Sequence, residues 1–169
     1  MTKPVVVFSH GQESGPWGAK IRAMSEQVRE MGCGVESIDY QGIADPADRV
    51  TKLIAACSEI DAPLILVGSS MGGHVATAAA AAVNAMGLFV LAPAYYMDGF
   101  EALTPPPPNI PTVIVHGWHD DIVPVENSIR FGRDCAATLH IVDGGHRLTK
   151  NIDEINAYLQ RFVNELTDN

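Results

Sequence analysis

Residues 66–76 read LVGSSMGGHVA, two serines set between glycines where an apolar run gives way to an alanine-rich one. Only Ser70 has a glycine two positions away on both sides, Gly68 and Gly72; for Ser69 those positions hold Val67 and Met71. The spacing suits a sharp, strained turn from a strand into a helix, where a Cβ two residues either way would strike the adjoining strand or helix. Such a turn leaves the Met71 N–H at the helix N-terminus, aimed where negative charge would form beside the Ser70 hydroxyl. Ser70 is thus the candidate nucleophile, Met71 a candidate oxyanion donor and Ser69 a spacer. A phosphate loop is the nearest rival, since Gly68 and Gly73 have its glycine spacing, but His74-Val75 stand where it needs Lys and Ser or Thr.

Outward from this turn the chain keeps one alternation from end to end. Short apolar runs at VVVF (5–8), VESI (35–38), LILV (64–67), LFVL (88–91), TVIV (112–115) and LHIV (139–142) read as strands buried on both faces. Helical spacing fills 17–32, 45–60 and 71–87, with Asp45-Pro46 as N-cap and first turn of the second, and further helices start near Pro124 and Asn151. The pattern predicts a single domain over 1–169, a three-layer α/β/α sandwich around a mostly parallel sheet of about six strands. The proline run at 105–108 is a stiff, extended connection that can wall one side of a cleft.

Composition narrows the function classes. With 169 residues and 47% hydrophobic content the chain can bury one sizeable core. Eleven Lys and Arg against 20 Asp and Glu give a net charge of −9, without a basic block to track a nucleic acid or an anionic membrane. No apolar run approaches the roughly 18 residues of a membrane helix. Cys33, Cys57 and Cys135 are odd in number and lack CxxC spacing, which fits reduced thiols in a cytoplasmic protein. A small-molecule substrate and no cofactor are expected; monomer and dimer both stay open.

In a parallel sheet of this kind reacting groups gather at the carboxyl ends of the strands. A serine there needs a base whose tautomer a carboxylate fixes. Among six histidines, His146 in the glycine-rich loop DGGHRL is the stronger candidate base and His119 the second. His140 falls within a strand, and His74 and His116 read as packed or locally hydrogen-bonded. The stretch HGWHDDIVP offers Asp120 and Asp121, either of which can orient the histidine on position alone. Its His116-x-x-His119 pair would bind a metal from one side of a helix, which Gly117 and the preceding strand argue against.

The segment His116-Gly117, Asp120, Val123 and Pro124 resembles the HG-x-x-D-x-x-V-P pattern of the α/β-hydrolase superfamily, and the resemblance extends over nearly the whole chain. It selects Asp120 over Asp121, leaving Asp121 as a helix-capping residue before Pro124, and implies the chain order Ser70, Asp120, His146. The turn Ser9-His10-Gly11-Gln12 is similar to a loop whose following N–H faces the nucleophile, which makes Gln12 the second oxyanion donor and His10 a brace. The HG-x-x-x-G-x-W-G style of this loop is similar to that of cap-less carboxylesterases and acyl-protein thioesterases. Departures from the family are the absence of two antiparallel strands before VVVF and of a helical cap after the fourth strand. The expected site is therefore shallow, with Tyr95, Tyr96, Trp118 and His119 as substrate contacts and Met97 and Phe100 near them. The resemblance implies hydrolysis of small or short-chain carboxylic esters through an acyl-enzyme, with a thioesterase or a non-catalytic binding protein on the same fold as alternatives.

Overall fold

The computed structural model describes residues 2–168, so the two ends of the 1–169 reading lie outside the described residues. Six strands alternate with helices: β1 Val5–Ser9, α1 Ala19–Glu30, β2 Gly34–Ile38, α2 Pro46–Ser58, β3 Leu64–Ser69, α3 Met71–Ala79, β4 Gly87–Leu91, β5 Thr112–Gly117, α4 Val125–Cys135, β6 Thr138–Val142 and α5 Ile152–Thr167. The spatial order is β2-β1-β3-β4-β5-β6, and every neighbouring pair is parallel. Such pairing needs a crossover at each step, and the sequence supplies a helix or a long loop between every two strands.

Alternate side chains along each strand feed two separate cores. Val6, Phe8, Ile65, Val67, Phe89 and Leu91 pack with Ile21 and Met24 of α1 and Leu159 and Phe162 of α5. Val7, Leu66, Leu88, Val90 and Ile114 pack with Leu53 of α2, Val75 and Ala76 of α3 and Phe131 of α4. The sheet is thus sandwiched between the pair α1 and α5 on one face and the three helices α2, α3 and α4 on the other, the expected three layers. The edge strands depart from the expectation of burial on both faces: Gly34 and Glu36 of β2 and Thr138 of β6 are exposed, because no further strand covers them and their helices reach only part of each face.

Asp45 caps α2 as its position suggests, accepting the Ala47 N–H at 2.9 Å behind Pro46. The alanine-rich helix is shorter than its composition suggests. It ends at Ala79, and the chain turns through Asn84 at φ 51°, with Ala85 N–H returning to the Ala80 carbonyl at 3.0 Å. Alanine favours a helix, but the chain must reverse to enter β4 at Gly87, and that demand overrides propensity.

Two glycines hold the turn at the end of β3. A Cβ on Gly72 would strike the carbonyl oxygens of both Ser9 and His10, and one on Gly68 would strike the backbone of Gly72 and Gly73. Backbone atoms cannot swing aside as a flexible side chain can, so α3 approaches β1 only with glycine at this position. Replacing Gly72 by alanine is expected to cost about 3 kcal/mol or more, a fall in Tm of about 6–12 °C. Gly18→Ala, where nothing lies within 4 Å of the added carbon, should stay within about 1 kcal/mol. Thermal melts of the two variants check the contrast; equal Tm values would refute it.

Candidate active site

The turn between β3 and α3 sets Ser70 at φ 55°, ψ −120°, a strained left-sided conformation for a residue with a side chain. The backbone on either side over-determines it: Ser70 N–H bonds to the Leu91 carbonyl at 2.9 Å, and the Ser70 carbonyl accepts from Gly73, His74 and Ala94. The strain lifts the hydroxyl out of the turn, and Ser70 Oγ lies 3.0 Å from His146 Nε2. His146 Nδ1 lies 2.7 Å from Asp120 Oδ2. Ser70, Asp120 and His146, three residues from three loops, form one line of hydrogen bonds at the carboxyl edge of the sheet.

Asp120 is the most heavily bonded group in the site. Its Oδ1 accepts the N–H groups of Ile122 and Val123 at 2.9 and 2.8 Å, and its Oδ2 takes His116 Nε2 at 3.0 Å besides His146. Burial alone would raise the carboxyl's pKa, but the bonds from His146, Val123 and Ile122 outweigh it and hold Asp120 below its usual value. A carboxylate in this state fixes the proton of His146 on Nδ1 and leaves Nε2 free to accept from Ser70. Asp121 is exposed, and α4 begins behind Pro124 with no side-chain cap. Its expected capping role is not observed, because the turn before the helix is closed by Asp120.

His116 contributes more than the packing read from sequence. Fully buried, it faces two acceptors with Nε2, Asp120 Oδ2 and the Val123 carbonyl at 2.9 Å, while Nδ1 meets Ser128 Oγ at 2.7 Å. Nε2 therefore carries the hydrogen and Ser128 donates to Nδ1, a neutral imidazole that steadies Asp120 from behind. Burial pushes its pKa down against the pull of Val123 and Asp120.

The loop bearing His146 is pinned at several points. His119 N–H bonds to the Gly144 carbonyl at 3.0 Å, and a Cβ on Gly117 would hit that same carbonyl. Asn151 Nδ2 holds the Asp143 carbonyl at 3.2 Å. Lys20 Nζ reaches the Arg147 carbonyl at 3.1 Å; burial and then the nearby Arg147 charge bring its pKa down to about 8. Lys20 carried no sequence signal, since it acts on a residue 127 positions along the chain, and Asn151 was legible only as the start of a helix.

On the opposite side, Gly11 lies against the turn that carries Ser70: a Cβ there would rest 3.5 Å from the Ser69 carbonyl and 3.6 Å from Ser70 Cβ. This sets the Gly11–Gln12 peptide beside Ser70, across from the first turn of α3 that begins with Met71. His10 braces the loop as expected. Its Nε2 accepts the Tyr40 N–H at 2.8 Å, so Nδ1 carries the hydrogen and donates to the Gly11 carbonyl at 2.7 Å.

The expected substrate contacts divide. Tyr95 is fully buried, stacked on Phe131 at 3.9 Å with its hydroxyl on Thr77 Oγ1, so it belongs to the core and not to a pocket wall. The expectation fails because the Tyr95 side chain is taken up wholly by the core around Phe131, with Tyr96 only partly buried against the same cluster. Tyr96 is half-buried, at φ 51°, with the Arg130 guanidinium 3.9 Å over its ring. Trp118 is 57% exposed, and His119 Nε2 bonds to Asp143 Oδ1 at 2.9 Å. His116 and His119 thus engage different carboxylates, and among the described residues no group of three or more His, Cys, Asp or Glu side chains could hold a metal ion. No helix among the described residues is long and apolar enough to cross a membrane.

A family model described as alpha/beta hydrolase family matches residues 6–162. The chain belongs to the alpha/beta hydrolase family. No curated protein matches it. Among solved structures, a protein described as a hydrolase of the alpha/beta superfamily from Xanthomonas campestris pv. campestris is 26% identical at a TM-score of 0.88, with 98% of this chain and 99% of that chain covered. Est1E from Butyrivibrio proteoclasticus is 19% identical at a TM-score of 0.84, covering 99% and 90%. A serine hydrolase without a lid from Xanthomonas campestris is 20% identical at 0.81, covering 97% and 82%. These likenesses define a hydrolase built on a minimal fold of its family.

Four histidines, His10, His74, His116 and His140, are held below their ordinary pKa, each chiefly by burial. In the unfolded chain they take up protons as pH falls through about 6.5, while in the folded chain they do so only at lower pH. Their contribution to stability is therefore complete above about 6.5 and is lost as pH falls toward the folded values. Unfolding near pH 6 should take up protons, read as a buffer-dependent calorimetric enthalpy. An enthalpy independent of buffer at that pH would contradict the assignment.

Proposed function

We propose that this hydrolase cleaves small or short-chain carboxylic esters through an acyl-enzyme on Ser70. The observation that carries the reading is the unbroken line from Ser70 Oγ through His146 to Asp120, at 3.0 and 2.7 Å. His146 Nε2 takes the Ser70 proton as Oγ attacks the ester carbonyl carbon, and the carbonyl electron pair moves onto oxygen. The N–H groups of Met71 and Gln12 receive that oxyanion. When the intermediate collapses, His146 returns the proton to the departing alcohol, and water then releases the acid by the same route in reverse. Asp120 stays ionised throughout and stabilises the imidazolium.

The preference for small substrates is inferred from the short loops around Ser70. Tyr96, Trp118 and His119, on the loops after β4 and β5, supply an apolar and polar rim in place of a lid. The lidless serine hydrolase among the similar structures supports an open site of this kind. A thioester carbonyl would be handled by the same groups, with a thiol departing.

Hydrolysis of p-nitrophenyl acetate, butyrate and octanoate by the purified protein tests the reading. Turnover should fall with chain length and disappear in Ser70→Ala; equal turnover by wild type and Ser70→Ala would overturn it. The carboxylate assignment has its own check. Asp120→Asn should lower kcat by about 10³–10⁴-fold, the scale set by loss of the orienting carboxylate in a serine protease, whereas Asp121→Asn should retain activity within about two-fold. A reversed pattern would give the role to Asp121.

A further inference from the structure

Arg49, on α2, is a cation in an unusual place. It is 2% exposed, yet neither its hydrogen bonds nor the ion pairs among the described residues give it a carboxylate partner. Its Nη1 donates to the Gly11 carbonyl at 3.2 Å, its Nη2 to the Gln12 carbonyl at 3.3 Å and its Nε to the Ile43 carbonyl at 2.7 Å. The guanidinium lies 5.3 Å from the centre of the Tyr40 ring. Tyr40 in turn bonds through its hydroxyl to Ser9 Oγ at 3.0 Å and through its N–H to His10. A buried charge without a counter-charge is costly, and the fold spends this one on the loop beside Ser70.

The chemistry of that loop gives the placement a purpose. The Gly11 carbonyl and the Gln12 N–H belong to one planar peptide group, so holding the oxygen fixes the direction of the N–H on the opposite side. Three donors converge on that oxygen: His10 Nδ1 at 2.7 Å, Arg49 Nη1 at 3.2 Å and Ser14 Oγ at 3.4 Å. Hydrogen bonds at a carbonyl draw electron density toward oxygen and strengthen its N–H as a donor, more so in a site shielded from water. A charged donor does this more strongly than a neutral one. We propose that Arg49 is a positioning residue of the oxyanion hole, its guanidinium orienting and polarising the Gln12 N–H through the Gly11–Gln12 peptide. The inference rests on the reading of Ser70 as nucleophile and Gln12 as oxyanion donor.

The test uses the full chain, with Arg49→Met to remove the cation and Arg49→Lys to keep it while giving up the three-pronged geometry. Two rates are measured: phosphonylation of Ser70 by a fluorophosphonate, whose phosphoryl oxygen enters the same hole, and p-nitrophenyl acetate turnover split into kcat and KM. Circular dichroism and Tm report the folded fraction. Removing one oxyanion donor outright costs about 10²–10³-fold in kcat, so an indirect support is expected to cost Arg49→Met about 10–100-fold in both rates, with KM nearly unchanged. Arg49→Lys should fall between that variant and wild type. Should Arg49→Met fail to fold, Arg49→Lys carries the test by the same two rates. Folded variants with wild-type rates, or losses that vanish once corrected for the folded fraction, overturn the role of Arg49 and leave the nucleophile standing. A wild-type protein inert to the probe removes the nucleophile itself, and the role of Arg49 with it.

Discussion

The first turn of α3 rests on the backbone of Ser9 and His10, with only the hydrogen of Gly72 between them. The β1–β3 ladder already sets Ser9 opposite Gly68, and this close approach keeps the Gly11–Gln12 peptide beside Ser70. Gly68 gives the same freedom on the other side of the turn, and Ser70 between them takes a conformation that its own side chain disfavours. The strain is local, and its cost is spread over two hydrophobic cores that hold β1, β3 and α3 in place. A second close approach of the same type, Gly117 against the Gly144 carbonyl, sets the loop of His146 over that of Asp120. Glycines thus fix the distances between loops, and the side chains of Ser70, Asp120 and His146 inherit them.

The electrostatics follow from the same crowding. The Asp120 side chain is buried, which by itself raises its pKa, but four donors surround it and hold it below its usual value. One of them, His116, is kept neutral by burial, so it can donate one hydrogen to the carboxylate without competing for its charge. His10 is neutral for a related reason and plays a parallel part at the Gly11 carbonyl. His10 and His116 therefore both act as directional donors. Such groups need no rearrangement as charge develops in a reaction, which is the condition for strong electrostatic stabilisation.

Much of this was legible in the sequence because it rests on local rules. The six strands came from short β-branched runs, the turn at Ser70 from glycines two residues away on either side, and the cap of α2 from Asp45-Pro46. Position alone left Asp120 and Asp121 level, and a family resemblance was needed to separate them; in the structure, the Ile122 and Val123 amides distinguish the two. Other features depend on contacts that no local pattern carries. Arg49 lies 38 and 37 residues from the Gly11 and Gln12 carbonyls it holds, and Lys20 lies 127 from its own. Tyr95 and Tyr96 are neighbours of the same type that both approach Phe131, and only the complete burial of Tyr95 shows which is core. The early end of α3 reflects where β4 must begin, a constraint on the sheet that alanine content does not express.

Of the two adjacent serines, we propose that Ser70 and not Ser69 forms a covalent acyl intermediate. Rapid acid quenching of the protein during p-nitrophenyl acetate turnover, followed by intact-mass and fragment-ion analysis, tests it most directly. One acetyl group is expected on Ser70, absent from Ser70→Ala. Acetyl on Ser69, or sustained Ser70-independent turnover without any acylated protein, would contradict it.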